Sequence, residues 1–219
     1  MIGRGRSVLV VEDDRLTLGL LAETLTQSGF VVGAASNAAD ARRMWSTMDP
    51  DAVVLDIDLG AGVNGFDLAD AFRARAPHLA ILFLSNLPDA RFAGRSPSSL
   101  PSDAGYVRKD QLSDSKALVA ALDAVLRGSE RDIPHQDQDP ERPLASLSHT
   151  QVEVLRMVAL GMSNQKIAAE RGTTVKAVHN VITRAMALIG ADTSDEGNAR
   201  VVAAREFIRA AGLPTSSSG

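Results

Sequence analysis

Five polar side chains in the first half of the chain each lie at the end of a short apolar run of the kind that forms a buried strand. Glu12 and Asp13 follow SVLVV, Asp56 follows AVVL, Ser85 follows AILFL and Lys109 lies just beyond GYV. Three carboxylates repel one another unless a cation lies between them, and Mg²⁺ typically binds one or two carboxylates, water and a phosphate oxygen. With Mg²⁺ and Lys109 neutralising a transferring phosphoryl group, one carboxylate can act as the nucleophile. Asp56 is best placed for that role.

This chemistry requires the five side chains to meet, and the pattern of residues 1–127 predicts a fold in which they do. Short β-branched runs alternate with longer amphipathic stretches, the last of which is expected to begin after Ser113 as its N-cap. Such alternation predicts a flavodoxin-like α/β domain, a doubly wound five-stranded parallel sheet whose ligands bind at the carboxyl ends of the strands. The predicted strands are Ser7–Val11, Val31–Ala35, Ala52–Leu55, Ala80–Leu84 and Gly105–Val107.

The composition favours a globular protein of two domains. The chain has 219 residues, 45% of them hydrophobic and 23% charged, and single domains usually have about 100–200 residues. It contains no cysteine, which excludes disulfides and thiolate zinc sites. The N-terminal apolar run is too short for a signal peptide, and no stretch reaches the roughly 18 apolar residues of a membrane span. A cytoplasmic location without membrane contact is therefore expected.

The net charge of −4 conceals a difference between the two ends of the chain. Residues 1–127 carry 13 basic and 16 acidic side chains, which gives −3, and residues 128–145 carry 2 and 5, which also gives −3. Residues 146–219 carry 8 and 6, which gives +2. The middle stretch is polar, contains three prolines and has no apolar period, so it is predicted to be a linker. Only the stretch beyond this linker, residues 146–219, has a net positive charge.

The part of the chain beyond the linker has a wholly helical pattern. Ser148 and Gln151 form a capping box, and Ser163 and Thr174 are the expected N-caps of the next two helices. A fourth helix is expected over Asn198–Ala211. The predicted division is a sheet domain over 1–127, a linker over 128–145, a small four-helix all-α domain over 146–213 and a disordered tail over 214–219.

Two of these helices, separated by a tight turn at Gly172, match a helix-turn-helix. The second of them, Lys176–Ile189, is the recognition candidate because it carries basic side chains and no acidic residue. Its amide and hydroxyl groups can hydrogen-bond base edges. The predicted DNA-contacting residues are Lys176, His179, Asn180, Thr183 and Arg184, and the predicted core positions are Val178, Ile182, Ala185 and Met186.

The strings VLVVEDD, VVLDIDL, FLS and GYVRKD resemble the successive motifs of response-regulator receiver domains over residues 5–127. The resemblance implies that Asp56 is the phosphoacceptor for a sensor histidine kinase and that Mg²⁺ is the cofactor. It also implies a non-enzymatic protein, with phosphoryl transfer and slow dephosphorylation as its only chemistry. The implied metal ligands are Glu12, Asp13, Asp56 and the backbone carbonyl of Asp58; Ser85 and Lys109 would contact the phosphoryl group, and Tyr106 would be the switch residue.

The strings LSHTQVEVLRMVALGMSNQKIA and VKAVHNVITRAMALIG resemble the output domain of the LuxR/NarL/FixJ family over residues 146–213. This resemblance implies that the recognition helix binds double-stranded promoter DNA and regulates transcription. It also implies an active homodimer in which the fourth helix pairs two protomers.

Two departures from the receiver pattern bear on how phosphorylation would act. Gly60 stands where the family usually has proline after the phosphoacceptor. The segment expected to form the fourth receiver helix contains Gly94, Pro97 and Pro101, which a regular helix accommodates only at high cost. That helix is therefore predicted to be short or irregular.

Three alternatives remain open at the level of sequence. The irregular segment favours a regulator that binds DNA independently of phosphorylation. The string DIDLG resembles the nucleophile motif of haloacid-dehalogenase-type, Mg²⁺-dependent phosphatases, although those enzymes place it on their first strand and here it follows the third. A helical domain with a charge of only +2 is also compatible with a protein-interaction module.

Overall fold

The computed structural model describes residues 5–60, 63–96, 100–129, 131–191 and 196–214, and for residues 196–198 the backbone alone. The chain divides into two compact units. The first contains the residues up to Asn86 together with Leu100–Gln136, and the second contains Leu87–Ser99 together with Asp137–Ser216. In the described part of the chain, none of the helices is both long and apolar enough to cross a membrane.

The first unit is built on a five-stranded parallel sheet with the order β2-β1-β3-β4-β5. The central strands β1, β3 and β4 are buried on both faces, as a parallel sheet covered by helices requires, whereas the edge strand β2 exposes Val31. The predicted doubly wound fold is confirmed, and three strands have the predicted bounds. The strands are β1 (Ser7–Val11), β2 (Val31–Ala35), β3 (Ala52–Leu55), β4 (Ala80–Ser85) and β5 (Gly105–Arg108).

In the described residues of this unit, four α-helices flank the sheet, and each begins at a side-chain N-cap. The caps are Asp14, Asn37, Asn64 and Asp114, whose side chains accept hydrogen bonds from backbone N–H groups of the first turn. The prediction that Ser113 caps the last of these helices is wrong by one residue. The N-cap is Asp114, whose carboxylate accepts a hydrogen bond from the Ala117 N–H at 2.8 Å. The helices are α1 (Arg15–Gln27), α2 (Ala38–Met48), α3 (Gly65–Arg73) and α4 (Ser115–Arg127).

The first part of the predicted linker packs on the first unit. The backbone N–H of Tyr106 in β5 donates to the carbonyl of Pro134 at 2.7 Å, and that of Arg108 donates to Gln136 Oε1 at 2.7 Å. Ile133 is buried with the apolar residues of β5 and α4. Residues 133–136 therefore lie along the free edge of β5, where they occupy backbone donors that an exposed edge strand leaves unpaired.

The second unit contains the four predicted helices around one apolar core. The capping box of Ser148 and Gln151 is present, and Ser163 and Thr174 cap the next two helices as predicted. The last helix starts two residues earlier than expected, and residues 215–219 of the predicted tail lie outside the described residues. The helices are α5 (His149–Ala159), α6 (Asn164–Glu170), α7 (Val175–Leu188) and α8 (Glu196–Ala211).

The segment between β4 and β5 contains no α-helix among its described residues. A 3₁₀ turn, Ala90–Ala93, ends at Gly94, which has a φ of 75° in the left-handed region. The prediction of a short or irregular element is confirmed; Pro97 lies outside the described residues. Residues 87–96 pack in the second unit, whereas the sequence-based division assigns them to the first.

Candidate functional site

Three carboxylates meet at the carboxyl end of the sheet. Glu12 and Asp13 follow β1 and Asp56 follows β3, and these two strands are hydrogen-bonded neighbours. Each residue offers a carboxylate oxygen that lies within 4.8 Å of the other two. Glu12 and Asp56 are buried, with 2% and 6% of their surface exposed, while Asp13 is exposed. The arrangement gives the cluster one open side.

Lys109 lies over the two buried carboxylates. Its Nζ donates to Asp56 Oδ2 at 2.7 Å and to Glu12 Oε1 at 2.9 Å. Residues 109–111 form a 3₁₀ turn directly after β5, which brings the ammonium group back toward the centre of the sheet. One cation thus bridges side chains that follow two different strands, and Lys109 and Asp56 meet at one site, where the sequence predicted that their strand ends converge.

The electrostatics of the cluster follow from its burial and its excess of negative charge. Burial, and then the charge of Asp56, raise the pKa of Glu12 to about 7 although Lys109 opposes both effects. Burial also raises the pKa of Asp56 above its ordinary value. Burial alone would lower the pKa of Lys109, but the two carboxylates outweigh it and the pKa lies above its usual range. A second cation would stabilise the ionised carboxylates.

The donor set fits a hard divalent cation such as Mg²⁺. Carboxylate oxygens are the ligands that Mg²⁺ prefers, and it commonly keeps several water molecules beside one or two carboxylates. The exposed side of Asp13 leaves room for such water. Asp58 is exposed, and its backbone N–H donates to Asp56 Oδ1 at 3.3 Å. The role of its carbonyl as a ligand stays a prediction.

Close packing behind Asp56 fixes the backbone of this site. A Cβ added to Gly65, the first residue of α3, would lie 2.1 Å from the carbonyl oxygen of Asp56. The Gly65 N–H donates to the carbonyl of Ile57 at 2.9 Å. Only glycine lets α3 begin this close to the phosphoacceptor candidate.

Ser85 and Tyr106 lie in the neighbouring strands β4 and β5, and both are buried. The Tyr106 ring packs beside that of Phe83, with 6.5 Å between the ring centroids. The distances measured at the acidic cluster join its three carboxylates to one another and two of them to Lys109, and none of these distances involves Ser85 or Tyr106. The predicted roles of Ser85 and Tyr106 remain predictions.

In the second unit, α7 has the two faces that the sequence predicted. Val178, Ile182, Ala185 and Met186 are buried in the helical core. Lys176, Asn180, Thr183 and Arg184 are exposed, and His179 is half-buried. Thr183 and Arg184 each donate to a carbonyl one turn earlier, at 3.1 and 3.2 Å, so both side chains lie along the outer face of the helix.

A buried ion cluster in the second unit was not anticipated from the sequence. Asp89 accepts hydrogen bonds from Arg91 and from Arg142, which lies 53 residues further along the chain. Asp89 and Arg91 belong to the segment whose glycine and prolines predicted only irregularity. No periodicity marks such a cluster, because Arg142 joins Asp89 through tertiary packing alone.

Two family models match the chain. The model described as a response regulator receiver domain matches residues 8–97, and the model for bacterial regulatory proteins of the luxR family matches residues 145–196. The first match contains the acidic cluster and the second contains α5 to α7. Each model matches the domain whose sequence motifs predicted that family.

Curated relatives and solved structures extend over both units. A putative transcriptional regulator of Pseudomonas aeruginosa is 32% identical over 84% of this chain and 91% of its own length. The DNA-binding transcriptional activator DevR/DosR of Mycobacterium tuberculosis is 31% identical over 73% of this chain and 76% of its own length. The structure of RcsB from Salmonella enterica serovar Typhimurium, solved bound to a promoter, covers 93% of this chain and 98% of its own. It has a TM-score of 0.57 at 18% identity, which shows the likeness of the fold.

Proposed function

The chain belongs to the two-component response regulators that join a receiver domain to a LuxR-type DNA-binding domain, and from this premise we propose that Asp56 is its phosphoacceptor. The observation that carries the proposal is the bridge from Lys109 Nζ to both Asp56 and Glu12 at the carboxyl end of the sheet. That bridge places a fixed positive charge beside the only buried aspartate of the acidic cluster.

In the proposed reaction a carboxylate oxygen of Asp56 attacks the phosphorus of a phosphohistidine on a sensor kinase. An O–P bond to Asp56 forms as the P–N bond breaks, and the departing imidazole nitrogen takes up a proton. Lys109 holds the charge of the phosphoryl oxygens, and Glu12 and Asp13 with Asp56 would hold Mg²⁺. When bound, the Mg²⁺ neutralises charge that develops on the transferring group.

The readout of this event is DNA binding by the second unit. The exposed residues Lys176, Asn180, Thr183 and Arg184 on α7, with His179 beside them, form the face that meets a promoter, and two protomers pair through α8. Support comes from the opposed polar and apolar faces of α7 and from a relative described as a DNA-binding activator. Since its partner is DNA, we place the protein in the cytoplasm. Phosphorylation is expected to change DNA affinity by about 5- to 150-fold.

Intact-mass spectrometry tests the phosphoacceptor directly. The protein and its Asp56→Asn variant are incubated with phosphoramidate and Mg²⁺, and the expected result is a single phosphoryl adduct on the wild type alone. An adduct of equal yield on Asp56→Asn would show that another residue is modified. Sustained release of inorganic phosphate from a phosphate ester would favour the phosphatase alternative instead.

A second candidate is a regulator whose DNA binding does not depend on phosphate. It is favoured by the segment between β4 and β5, whose described residues, 87–96 and 100–104, contain a four-residue 3₁₀ turn and no regular helix. Equal DNA affinity of the phosphorylated and unphosphorylated wild type would establish this second candidate.

A further inference from the structure

Residues 87–96, here named the 87–96 segment, connect two strands of the first unit but are packed within the second. The segment begins two residues after Ser85, the last residue of β4, and the chain re-enters the sheet at Gly105 as β5. Its four consecutive residues from Asp89 to Phe92 are all buried. A surface loop exposes most of its side chains, so this burial identifies the segment as part of a core.

An aromatic contact joins the segment to α8. The rings of Phe92 and Phe207 lie with their centroids 5.4 Å apart, inclined at 35°. Both side chains belong to the apolar core that also contains Val152 and Leu155 of α5 and Ile182 of α7. The segment and the recognition helix therefore pack into the same core.

A charged cluster fixes the segment in place. Asp89 accepts from Arg91 through both carboxylate oxygens, at 2.8 Å from Nε and 2.6 Å from Nη2. Arg142 Nε donates to Asp89 Oδ2 at 2.7 Å. Paired, nearly bidentate contacts of this kind have strict geometric requirements, and breaking a buried pair leaves an uncompensated charge. The segment is thus held in one arrangement.

The same cluster organises the approach to α5. Arg91 donates to the carbonyl of Leu147, the residue before the N-cap of α5, and to the carbonyl of Leu144 at 3.3 Å. Leu144 has a φ of 55°, a left-handed conformation that a branched side chain rarely adopts. Such a conformation persists only where surrounding contacts determine it. Arg91 supplies one of those contacts directly ahead of α5.

We propose that the 87–96 segment is the element that transmits phosphorylation of Asp56 to the DNA-binding helices, with Asp89, Arg91 and Arg142 as its anchor. One end of the segment is connected through Asn86 alone to Ser85, the predicted phosphate-contacting residue. The other end leads to β5, which carries Tyr106 and is followed by Lys109. We expect a shift of Ser85 or of β5 to act on the segment through these chain connections, and the anchor joins the segment to the start of α5. This inference rests on the proposed function.

The test measures the coupling between phosphorylation and DNA affinity in the full-length protein. The variants are Arg142→Met, which removes one cation of the anchor, and Arg43→Met, which removes a cation from an ion pair exposed on α2. The DNA is a set of duplexes selected by the phosphorylated wild type from a random-sequence pool. Each protein is assayed with and without phosphoramidate and Mg²⁺, and its adduct is measured by intact mass.

We expect wild type and Arg43→Met to gain about 5- to 150-fold in affinity on phosphorylation. Arg142→Met should take up one phosphoryl group and lose most of that gain. A phosphorylated Arg142→Met that keeps the full gain would overturn the role of the segment and leave the proposed function intact. A wild type that takes up no phosphoryl group would overturn both.

Hydrogen exchange in the wild type makes the test independent of whether Arg142→Met folds. Phosphorylation should change the exchange rates of amides in residues 87–96 and in the first turn of α5 several-fold. Unchanged rates in both regions, in a protein whose mass shows the adduct and whose DNA affinity rises, would overturn the proposal.

Discussion

At the scale of single residues, the acidic cluster depends on close approach as much as on charge. The carbonyl oxygen of Asp56 lies where a Cβ of residue 65 would have to be, so glycine at that position is a steric requirement of the site. The backbone of Asp56 and Ile57 would have to move to admit any side chain. Such a movement would displace the carboxylate of Asp56 from Lys109.

Gly65→Ala should therefore destabilise the first unit by about 1–3 kcal/mol, the usual cost of overpacking. Its rate of phosphorylation by phosphoramidate should fall as well. Gly19→Ala is the matched control, since a Cβ at this exposed position in α1 meets nothing within 4 Å. Alanine there should stabilise by about 0.5–1 kcal/mol. Urea unfolding of both variants checks the comparison, and equal stabilities would contradict the packing argument.

Asp89 gives a second prediction at this scale, through pH. Burial raises its pKa, but the hydrogen bonds from Arg91 and Arg142 outweigh burial and hold the pKa below its ordinary value. A carboxyl group whose pKa is lower in the folded than in the unfolded protein stabilises the fold at pH values above its unfolded-state pKa. That stabilisation is lost as the pH falls through its folded-state pKa.

Asp89→Asn should accordingly destabilise the second unit at pH 7 by about 3–5 kcal/mol, because it leaves Arg91 and Arg142 without their counter-charge. The difference from wild type should shrink as pH falls below about 4, near the ordinary pKa of aspartate. Denaturant unfolding across this pH range measures it. A difference that stays constant with pH would show that the charge of Asp89 is not what stabilises the cluster.

At the scale of elements, α7 has one face buried in the core and an opposite face exposed to solvent. Its buried residues pack in the same core as residues of α5 and α8, which fixes the orientation of the helix within its unit. The opposite face carries Lys176 and Arg184 without any acidic neighbour on the helix. Phosphate contacts by such cations release counterions, which makes DNA affinity dependent on salt.

Lys176→Ala should weaken binding to all duplexes by a similar factor, as expected when a phosphate contact is lost. The slope of log affinity against log salt concentration should become less steep by about 0.9. Arg43→Ala removes an exposed cation from α2 and should leave the slope unchanged. Fluorescence anisotropy over a salt series measures both, and an unchanged slope for Lys176→Ala would remove this residue from the DNA-binding face.

At the scale of the whole molecule, the order of the chain does not coincide with its compact units. The chain passes from the first unit to the second after Asn86, returns at Leu100 and passes again after Gln136. The 87–96 segment consequently depends on partners that follow it by about 50 residues, such as Arg142 at a separation of 53. A shortened chain that ends at Gln136 would lack them.

Trypsin can reveal this dependence. In the full-length protein Arg91 is 3% exposed and should resist cleavage. In a chain of residues 1–136 the peptide bond after Arg91 should be cut rapidly, while the exposed Arg131 serves as the control site in both forms. Protection of Arg91 in the shortened chain would mean that other residues of the first unit hold the segment.

Local patterns in the sequence determined the strands, the four C-terminal helices with the N-caps of the first three, and the family. They also predicted the meeting of Glu12, Asp13, Asp56 and Lys109, because side chains at the carboxyl ends of adjacent parallel strands share one edge of the sheet. Tertiary structure alone decided the position of residues 87–96, the pairing of Asp89 with Arg142 and the packing of residues 133–136 along β5. These features arise from contacts between residues that are far apart in the sequence or that belong to no helix or strand. The periodicity of a helix or a strand indicates local structure, and it does not indicate which distant residue a side chain will contact.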